Sequence, residues 1–246
     1  MTSMNEHAIF ELALVTGAAV RLGKAIALAL AKKGYAIALH YHHSEGSARL
    51  TVAEIEKIGV PVFPIRADLR KVQEIKQMFE QVAATGLPLR VLVNSAAVMP
   101  RRDLLTMDTE DWDAVMDVNL RGAWLCAVEA AHLMRPGGVI INISDTGANK
   151  VWTGYPAYVI SKAGLEVLTR LLARRLAPHI RVNAVAPGLI LQSENTPAEE
   201  WQRLVQRLPL GQSGSEDDVV RAILFLMESM YITGEVLVVD GGYGLI

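Results

Sequence analysis

Tyr158 and Lys162 stand four residues apart at the start of an expected helix, so their side chains share one face. Of the six tyrosines, only Tyr158 has a lysine four residues on. A free phenol titrates near 10, and a neighbouring ammonium favours its ionised form. Bringing it near 7 takes about 4 kcal/mol, which Lys162 could share with the positive charge of a nicotinamide. The pair then serves as a general acid for a carbonyl or imine that receives hydride. Ordinary amphipathic helices carry such pairs too, so the spacing alone leaves both readings open.

A second group of residues sits between an apolar strand and a helix: Thr16-Gly17-Ala18-Ala19-Val20-Arg21-Leu22-Gly23. Strand, glycine turn and helix are the context in which a dinucleotide is held. Glycine permits close backbone approach, and the helix N-terminus offers N–H groups to pyrophosphate. Arg21 opposes the helix dipole by roughly 0.3–1 kcal/mol, so local stability does not explain it, whereas a bound anion would. A solvated arginine covering the helix is the alternative. The next strand ends in His40-Tyr41-His42-His43-Ser44, and no acid occurs between Gly17 and His43; the first is Glu45. An NAD site usually places an acid on the ribose hydroxyls about 20 residues past the loop. Its absence, with Arg21 and hydroxyl and imidazole donors nearby, predicts NADPH over NADH. Three histidines could instead suggest a metal, but no partner acid is apparent and no metal is expected.

The elements that must carry these groups alternate along the chain. Strands are expected at Leu12 to Val15, Ala36 to Tyr41, Val60 to Ile65, Leu89 to Val93, Val139 to Ile143, Val182 to Val185 and Val236 to Val239. Several are apolar on consecutive residues, as strands buried on both faces should be. Helices fit Leu22 to Lys33, Ser47 to Ile58, Val72 to Ala84, Glu110 to Leu133, Pro156 to Leu176 and Glu216 to Glu228. Thr109 and Ser215 precede acidic first turns and are the expected caps of the last-but-two and last of these helices. Such alternation predicts an α/β fold of the Rossmann type: a doubly wound, parallel, seven-stranded sheet with helices on both faces. No linker interrupts it, so residues 1–246 read as one domain. The longest irregular stretch, LQSENTPAEE up to about Trp201, predicts a substrate-covering loop over about 188–208.

Composition narrows the partners. Of 246 residues 51% are hydrophobic and 20% charged, which excludes disorder. Lysine plus arginine number 24 against 26 acids, giving a formal charge of −2 and no strong field for nucleic acid or an anionic membrane. Cys126 stands alone, which excludes an intrachain disulfide and fits a reducing cytoplasm. The N-terminal MTSMNEHAIF lacks the basic and apolar parts of a secretory signal, and no apolar run approaches the roughly 18 residues of a membrane span. A cytoplasmic protein acting on a small-molecule substrate is expected.

At this point the chain resembles the short-chain dehydrogenase/reductase family over nearly its whole length. The pieces are the TGAAVRLG turn, Asp68 in ADL, Asn94 in NSAA, Asn119 in VNLRG, the YVISK segment, Pro187-Gly188 and the closing TGEVLVVDGG. The resemblance implies that Leu22 and Gly23 join Gly17 at the cofactor and that Asp68 and Leu69 meet the adenine. Asn94, Ser95 and Ala96 would support the cofactor strand, and Lys162 would also hold the nicotinamide ribose. Asn119 would complete a water-linked proton relay, Pro187 and Gly188 would border the nicotinamide, and a homotetramer would pair through Glu110 to Leu133 and Pro156 to Leu176. Apolar residues over more than one face of the first of these helices (Leu125, Ala127, Val128, Ala130, Ala131, Met134) suit such an interface.

Two departures refine the expectation. The family usually has glycine at Arg21 and serine thirteen residues before the tyrosine, where this chain has Asp145. Both changes, with LHYHHS and the ending VDGGY, resemble the pteridine reductase and dihydromonapterin reductase branch. There the arginine reaches cofactor phosphate and substrate, the aspartate joins the tyrosine in proton delivery, and Tyr155 matches a pterin-site tyrosine. Serine can only lend a hydrogen bond, whereas a carboxyl can take or donate a proton, which suits reduction of a ring C=N. Asp145 could also simply cap the turn at Thr146-Gly147. Against pterin, Met99 stands where that branch has a stacking phenylalanine, and methionine gives no flat face. Met99, Trp152, Leu189 and Trp201 are the expected pocket wall. The leading expectation is NADPH-dependent reduction of a pterin-like C=N; the alternative is a carbonyl or 3-ketoacyl reductase.

Overall fold

The computed structural model describes residues 10–192 and 196–246. The first nine residues, with most of the segment read for a signal, and 193–195 of the expected covering loop lie outside the described residues. Seven strands form one parallel sheet in the order β3-β2-β1-β4-β5-β6-β7. They are β1 (Leu12–Val15), β2 (Ala36–Tyr41), β3 (Val62–Arg66), β4 (Leu89–Asn94), β5 (Gly138–Ile143), β6 (Ile180–Pro187) and β7 (Val236–Val239). Helices α1 (Arg21–Lys32), α2 (Glu45–Ile58), α3 (Val72–Ala84), α4 (Thr109–Met116), α5 (Ala123–Leu133), α6 (Pro156–Leu176), α7 (Ala198–Arg207) and α8 (Glu216–Glu228) connect them.

The apolar continuity of β1, β2, β4 and β5 has a direct cause. Their side chains meet helices on both sides, so neither face can be polar. One core joins β1, β2, β4 and β5 to α1, α2 and α8, with Ile26, Leu30, Ile37 and Ile223 fully buried. The other packs Leu14, Leu92 and Ile140 against α3, α5 and α6, with Met78 of α3 fully buried. Strand order reverses between β1 and β4, and the crevice at their carboxyl ends is where an open α/β sheet receives a ligand.

Four local differences from the sequence expectation have physical causes. The helix expected over Glu110 to Leu133 is broken by a π-helical segment, Asp117–Gly122, whose wider turn carries Asn119. Asp108, not Thr109, caps α4, its carboxylate accepting from Asp111 N. Ser215 does cap α8, in a reciprocal box with Asp218. The stretch expected to be irregular contains α7; its Trp201, Leu204, Val205 and Leu208 repeat at helical spacing, a signal hidden among charged residues. On α5, Cys126, Ala127 and Ala130 belong to the core rather than to a free face. The apolar surface that α5 and α6 do expose consists of Trp124, Ile160, Val167 and Leu171. Among the described residues no helix is long and apolar enough to cross a membrane.

Candidate active site

A cleft of about 500 Å3 opens at the carboxyl ends of β1 and β4, running from Ser44 past the glycine turn to Tyr158. The turn itself is set by contacts no larger residue could make. A Cβ on Gly17 would stand 2.9 Å from Ala96 Cα, and one on Gly23 would stand 2.1 Å from Gly17 O. Thr16, which sequence reasoning passed over, fixes the opposite wall, its hydroxyl accepting from Ser95 N at 3.0 Å and Ala96 N at 3.1 Å. A backbone floor with a helix N-terminus above it fits a dinucleotide pyrophosphate.

Arg21 is the non-glycine residue of positive φ among the described residues, at 51°. That is why glycine is usual there: an L-residue in this region costs about 1–2 kcal/mol. Its guanidinium lines the cleft and donates to Leu191 O at 3.4 Å and Gln192 O at 3.2 Å, joining the glycine turn to the segment after β6.

The end of β2 divides its work unexpectedly. His40 is buried, its Nδ1 accepting from Gly17 N at 3.1 Å and its Nε2 meeting Ala67 O at 3.0 Å. With one nitrogen accepting and the other donating to a carbonyl, the ring is the neutral Nε2–H tautomer. Burial pushes its pKa down to about 4. His40 thus braces the turn and has no donor left for a phosphate. Tyr41 turns the other way and packs on the core, since alternate strand residues face opposite sides. His42, His43 and Ser44 face the cleft, with the carboxylate of Asp68 on the neighbouring wall. Arg70 grips Asp68 in a two-toothed pair at 2.7 to 3.1 Å and holds its carboxyl well below the usual range. Leu69 lines the same wall.

At the far end, α6 begins with Pro156 at its first turn and presents Tyr158 and Lys162, both buried. Tyr158 donates to Asp145 Oδ2 at 2.7 Å, while Asp145 Oδ1 accepts from Gly147 N at 2.6 Å. Asp145 therefore both caps its turn and meets the tyrosine; the two readings of the sequence are not exclusive. Burial raises the Asp145 carboxyl, and burial with the adjacent Asp145 charge raises the Tyr158 phenol well above 10. Here the phenol is raised rather than lowered, because it is buried and its hydroxyl meets the Asp145 carboxyl. Lys162 spends its ammonium on Ile143 O at 2.7 Å and stands 5.6 Å from the Tyr158 ring centroid, so the nearer carboxyl dominates. Burial lowers Lys162 to about 8. The resting arrangement is a protonated phenol that donates its hydrogen bond to a carboxyl of raised pKa at the end of the cleft.

Other expected residues lie behind or beside this pair. Asn119 accepts from Val98 N at 2.8 Å and donates to Val98 O at 2.9 Å and Ser161 Oγ at 3.1 Å, so its side chain braces the segment at Val98 against α6. Asn94 ties β4 to β5 through Asn142 at 2.9 Å and lies under the cleft. Ser95, Ala96, Pro187 and Gly188 line it, and Thr146 bonds Pro187 O at 3.1 Å, joining the acid's turn to β6. Of the expected wall, Trp152 and Tyr155 pack edge to face at 6.4 Å beside Tyr158. Met99 is exposed beyond Val98, where the lining ends. Leu189 gives its carbonyl to Gly214 N, and its neighbours Ile190 and Leu191 reach the cleft instead. Trp201 sits on α7, outside the residues that line the cleft.

Known proteins resemble this chain in sequence and in fold. The family described as enoyl-(acyl carrier protein) reductase matches residues 17–244. The chain is 38% identical over 238 residues to a 3-oxoacyl-(acyl-carrier-protein) reductase of Staphylococcus aureus, covering 94% of this chain and 96% of that protein. Among solved structures it is similar to FolM alternative dihydrofolate reductase 1 from Brucella canis complexed with NADP, with TM-score 0.91, 32% identity and 97% and 95% of the two chains covered. A double mutant of a Serratia marcescens short-chain dehydrogenase/reductase gives TM-score 0.90 at 31% identity, covering 97% of this chain and all of that one. The sequence relatives speak for the 3-ketoacyl alternative more than for the pterin expectation. With a family model over residues 17–244 and a relative 38% identical over 238 residues, the chain belongs to the short-chain dehydrogenase/reductase family of NAD(P)-dependent oxidoreductases.

Proposed function

We propose that this chain is an NADPH-dependent reductase that protonates the heteroatom of a substrate C=O or C=N from the Tyr158–Asp145 pair. The carrying observation is the 2.7 Å hydrogen bond between these two buried groups, with Lys162 beside them at the end of the cleft. When bound, NADPH supplies the hydride from its reduced nicotinamide. The glycine turn would hold the pyrophosphate, and Arg21, His42, His43 and Ser44 would surround the 2′-phosphate. Lys162 would hold the nicotinamide ribose, its ammonium opposing negative charge left on the proton donors. Tyr158 gives its proton to the oxygen or nitrogen next to the carbon receiving hydride, and Asp145, after taking a proton from solvent, can return one to the phenolate across their shared hydrogen bond.

The first reading of the substrate is a carbonyl of the 3-oxoacyl thioester kind, supported by the Staphylococcus relative. The second is the C=N of a flat nitrogen heterocycle such as a dihydropterin. It is favoured by a carboxyl at 145, which can pair with an amidine-like ring edge as serine cannot, and by the likeness to the Brucella alternative dihydrofolate reductase. The test follows NADPH oxidation with 3-oxoacyl thioesters, ketones and 7,8-dihydropterins in the wild type and in Asp145→Ser. Under the second reading Asp145→Ser lowers imine turnover by about 100-fold or more and spares ketones to within about tenfold. Equal losses on both classes remove the second reading. No NADPH oxidation on any substrate in the wild type removes the reductase reading altogether.

A further inference from the structure

One buried acid takes no part in the chemistry above. Asp68 and Glu166 are the two acids buried outright among the described residues. Arg70 holds Asp68, whereas no basic side chain among the described residues pairs with Glu166. Its Oε1 instead accepts from Ser144 Oγ at 2.9 Å. An acid taken out of water without a cation costs stability that an apolar residue in its place would not, so packing alone does not explain it.

Its place in the fold does. On α6, Tyr158, Lys162 and Glu166 follow one another at intervals of four residues and so share a face. The end of β5 and the residues just after it meet all three. Tyr158 donates to Asp145 Oδ2 at 2.7 Å, Lys162 donates to Ile143 O at 2.7 Å, and between those two contacts Ser144 donates to Glu166 at 2.9 Å. Ser144 is also where the chain leaves the sheet: its N–H bonds Val185 O of β6 at 2.8 Å, and after it Asp145 opens the 3-10 turn Thr146–Asn149. The direction in which Asp145 departs is therefore set at Ser144, and Glu166 ties Ser144 to α6. Burial raises the Asp145 carboxyl, and the Glu166 charge acts in the same direction. The β5–α6 contact as such has another polar tie, further from the acid pair, where Asn142 Nδ2 donates to Thr169 Oγ1 at 2.9 Å.

We propose that Glu166 is a positioning residue for the reaction: by holding Ser144 it fixes the distance and angle at which Asp145 meets Tyr158. The proposal rests on the reductase reading above and adds to that site a residue that lies outside the lining of the cleft. Proton transfer weakens steeply as its hydrogen bond lengthens or bends, so a small shift of Asp145 costs rate without loosening the cofactor. Thr169, joined to the same strand but not to the acid pair, separates this role from plain anchoring of the helix.

The experiment measures kcat, KM for NADPH and the thermal midpoint in wild type, Glu166→Leu, Glu166→Gln, Ser144→Ala and Thr169→Val, on the carbonyl or imine that the wild type reduces fastest. Glu166→Leu and Ser144→Ala should each lower kcat about tenfold with KM for NADPH within about twofold, and the double variant should be no slower than the slower single one. Glu166→Gln, whose carbonyl still accepts from Ser144, should keep kcat within about threefold. In an Asp145→Ser background Glu166→Leu should change kcat by less than about twofold, because the residue it acts through is gone. Thr169→Val should lower the thermal midpoint and leave kcat in place. If Glu166→Leu fails to fold, Ser144→Ala, which removes a single hydroxyl, decides with Glu166→Gln. An unchanged kcat in Glu166→Leu or Ser144→Ala overturns the inference and leaves the reductase reading standing. So does a loss that persists in full without Asp145, or one that Thr169→Val matches. A wild type that reduces nothing overturns the reductase reading, and the inference with it.

Discussion

His40 connects the acid stability of this protein to the geometry of its glycine turn. Its two ring nitrogens join Gly17 N and Ala67 O, and the arrangement works only with Nδ1 bare. A proton there would set one N–H against another. In the fold its pKa falls to about 4, from 6.5 for a free imidazole. Between those values the unfolded chain binds the proton and the folded chain does not, so this contribution to stability is full above 6.5 and is lost as pH falls toward 4. The whole gap is worth about 3 kcal/mol, and about 2 kcal/mol of it disappears between pH 7 and pH 5. Equilibrium urea unfolding at the two pH values, in wild type and His40→Gln, measures it. Glutamine can offer a carbonyl to Gly17 and an amide to Ala67 but does not titrate. The wild type should lose about 2 kcal/mol more than the variant on acidification, since every other titrating group is common to both. Equal losses would refute the neutral, bracing histidine. NADP affinity should follow the same course, weakening on acidification in the wild type and less so in the variant.

Other expectations rest on the same geometry. Lys162, at about 8, loses its ammonium as pH rises past that value, so kcat/KM for reduction should fall there. Lys162→Arg should carry that limb to higher pH, and a limb that stays put would assign it to another group. Arg21→Gly removes a strained φ of 51° but adds chain entropy of about 0.5–1 kcal/mol, so the thermal midpoint should barely move. The preference for NADPH over NADH should fall about tenfold as a charge-assisted contact is lost; an unchanged preference would leave Arg21 as a tether for Leu191 and Gln192 alone. Trp124, Ile160, Val167 and Leu171 expose an apolar surface on α5 and α6, and we expect a homotetramer built on it. Light scattering coupled to size exclusion should give four times 26.8 kDa, and a monomer mass would end that expectation.

The sequence by itself determined the frame. Runs such as LALV and VII in β5 are apolar at every second residue and at those between, which only a strand covered on both faces tolerates. Gly17 and Gly23 announced a turn with no room for side chains, and the Tyr158–Lys162 spacing announced a shared helix face. The absence of an acid before Glu45 was equally legible, because it depends on composition and position alone. What the sequence could not carry was every property that depends on a neighbour far along the chain. His40 reads as one more donor until Ala67 and Gly17 are seen to occupy both its nitrogens. Tyr158 reads as an activated phenol until Asp145, thirteen residues away, proves closer to its hydroxyl than Lys162's charge is to its ring. Glu166 lies 22 residues from Ser144, a meeting that β5 and α6 arrange. Local pattern sets which face a residue turns to the core or the cleft; burial and hydrogen bonding, which set its charge and its role, are decided only when distant segments close around it.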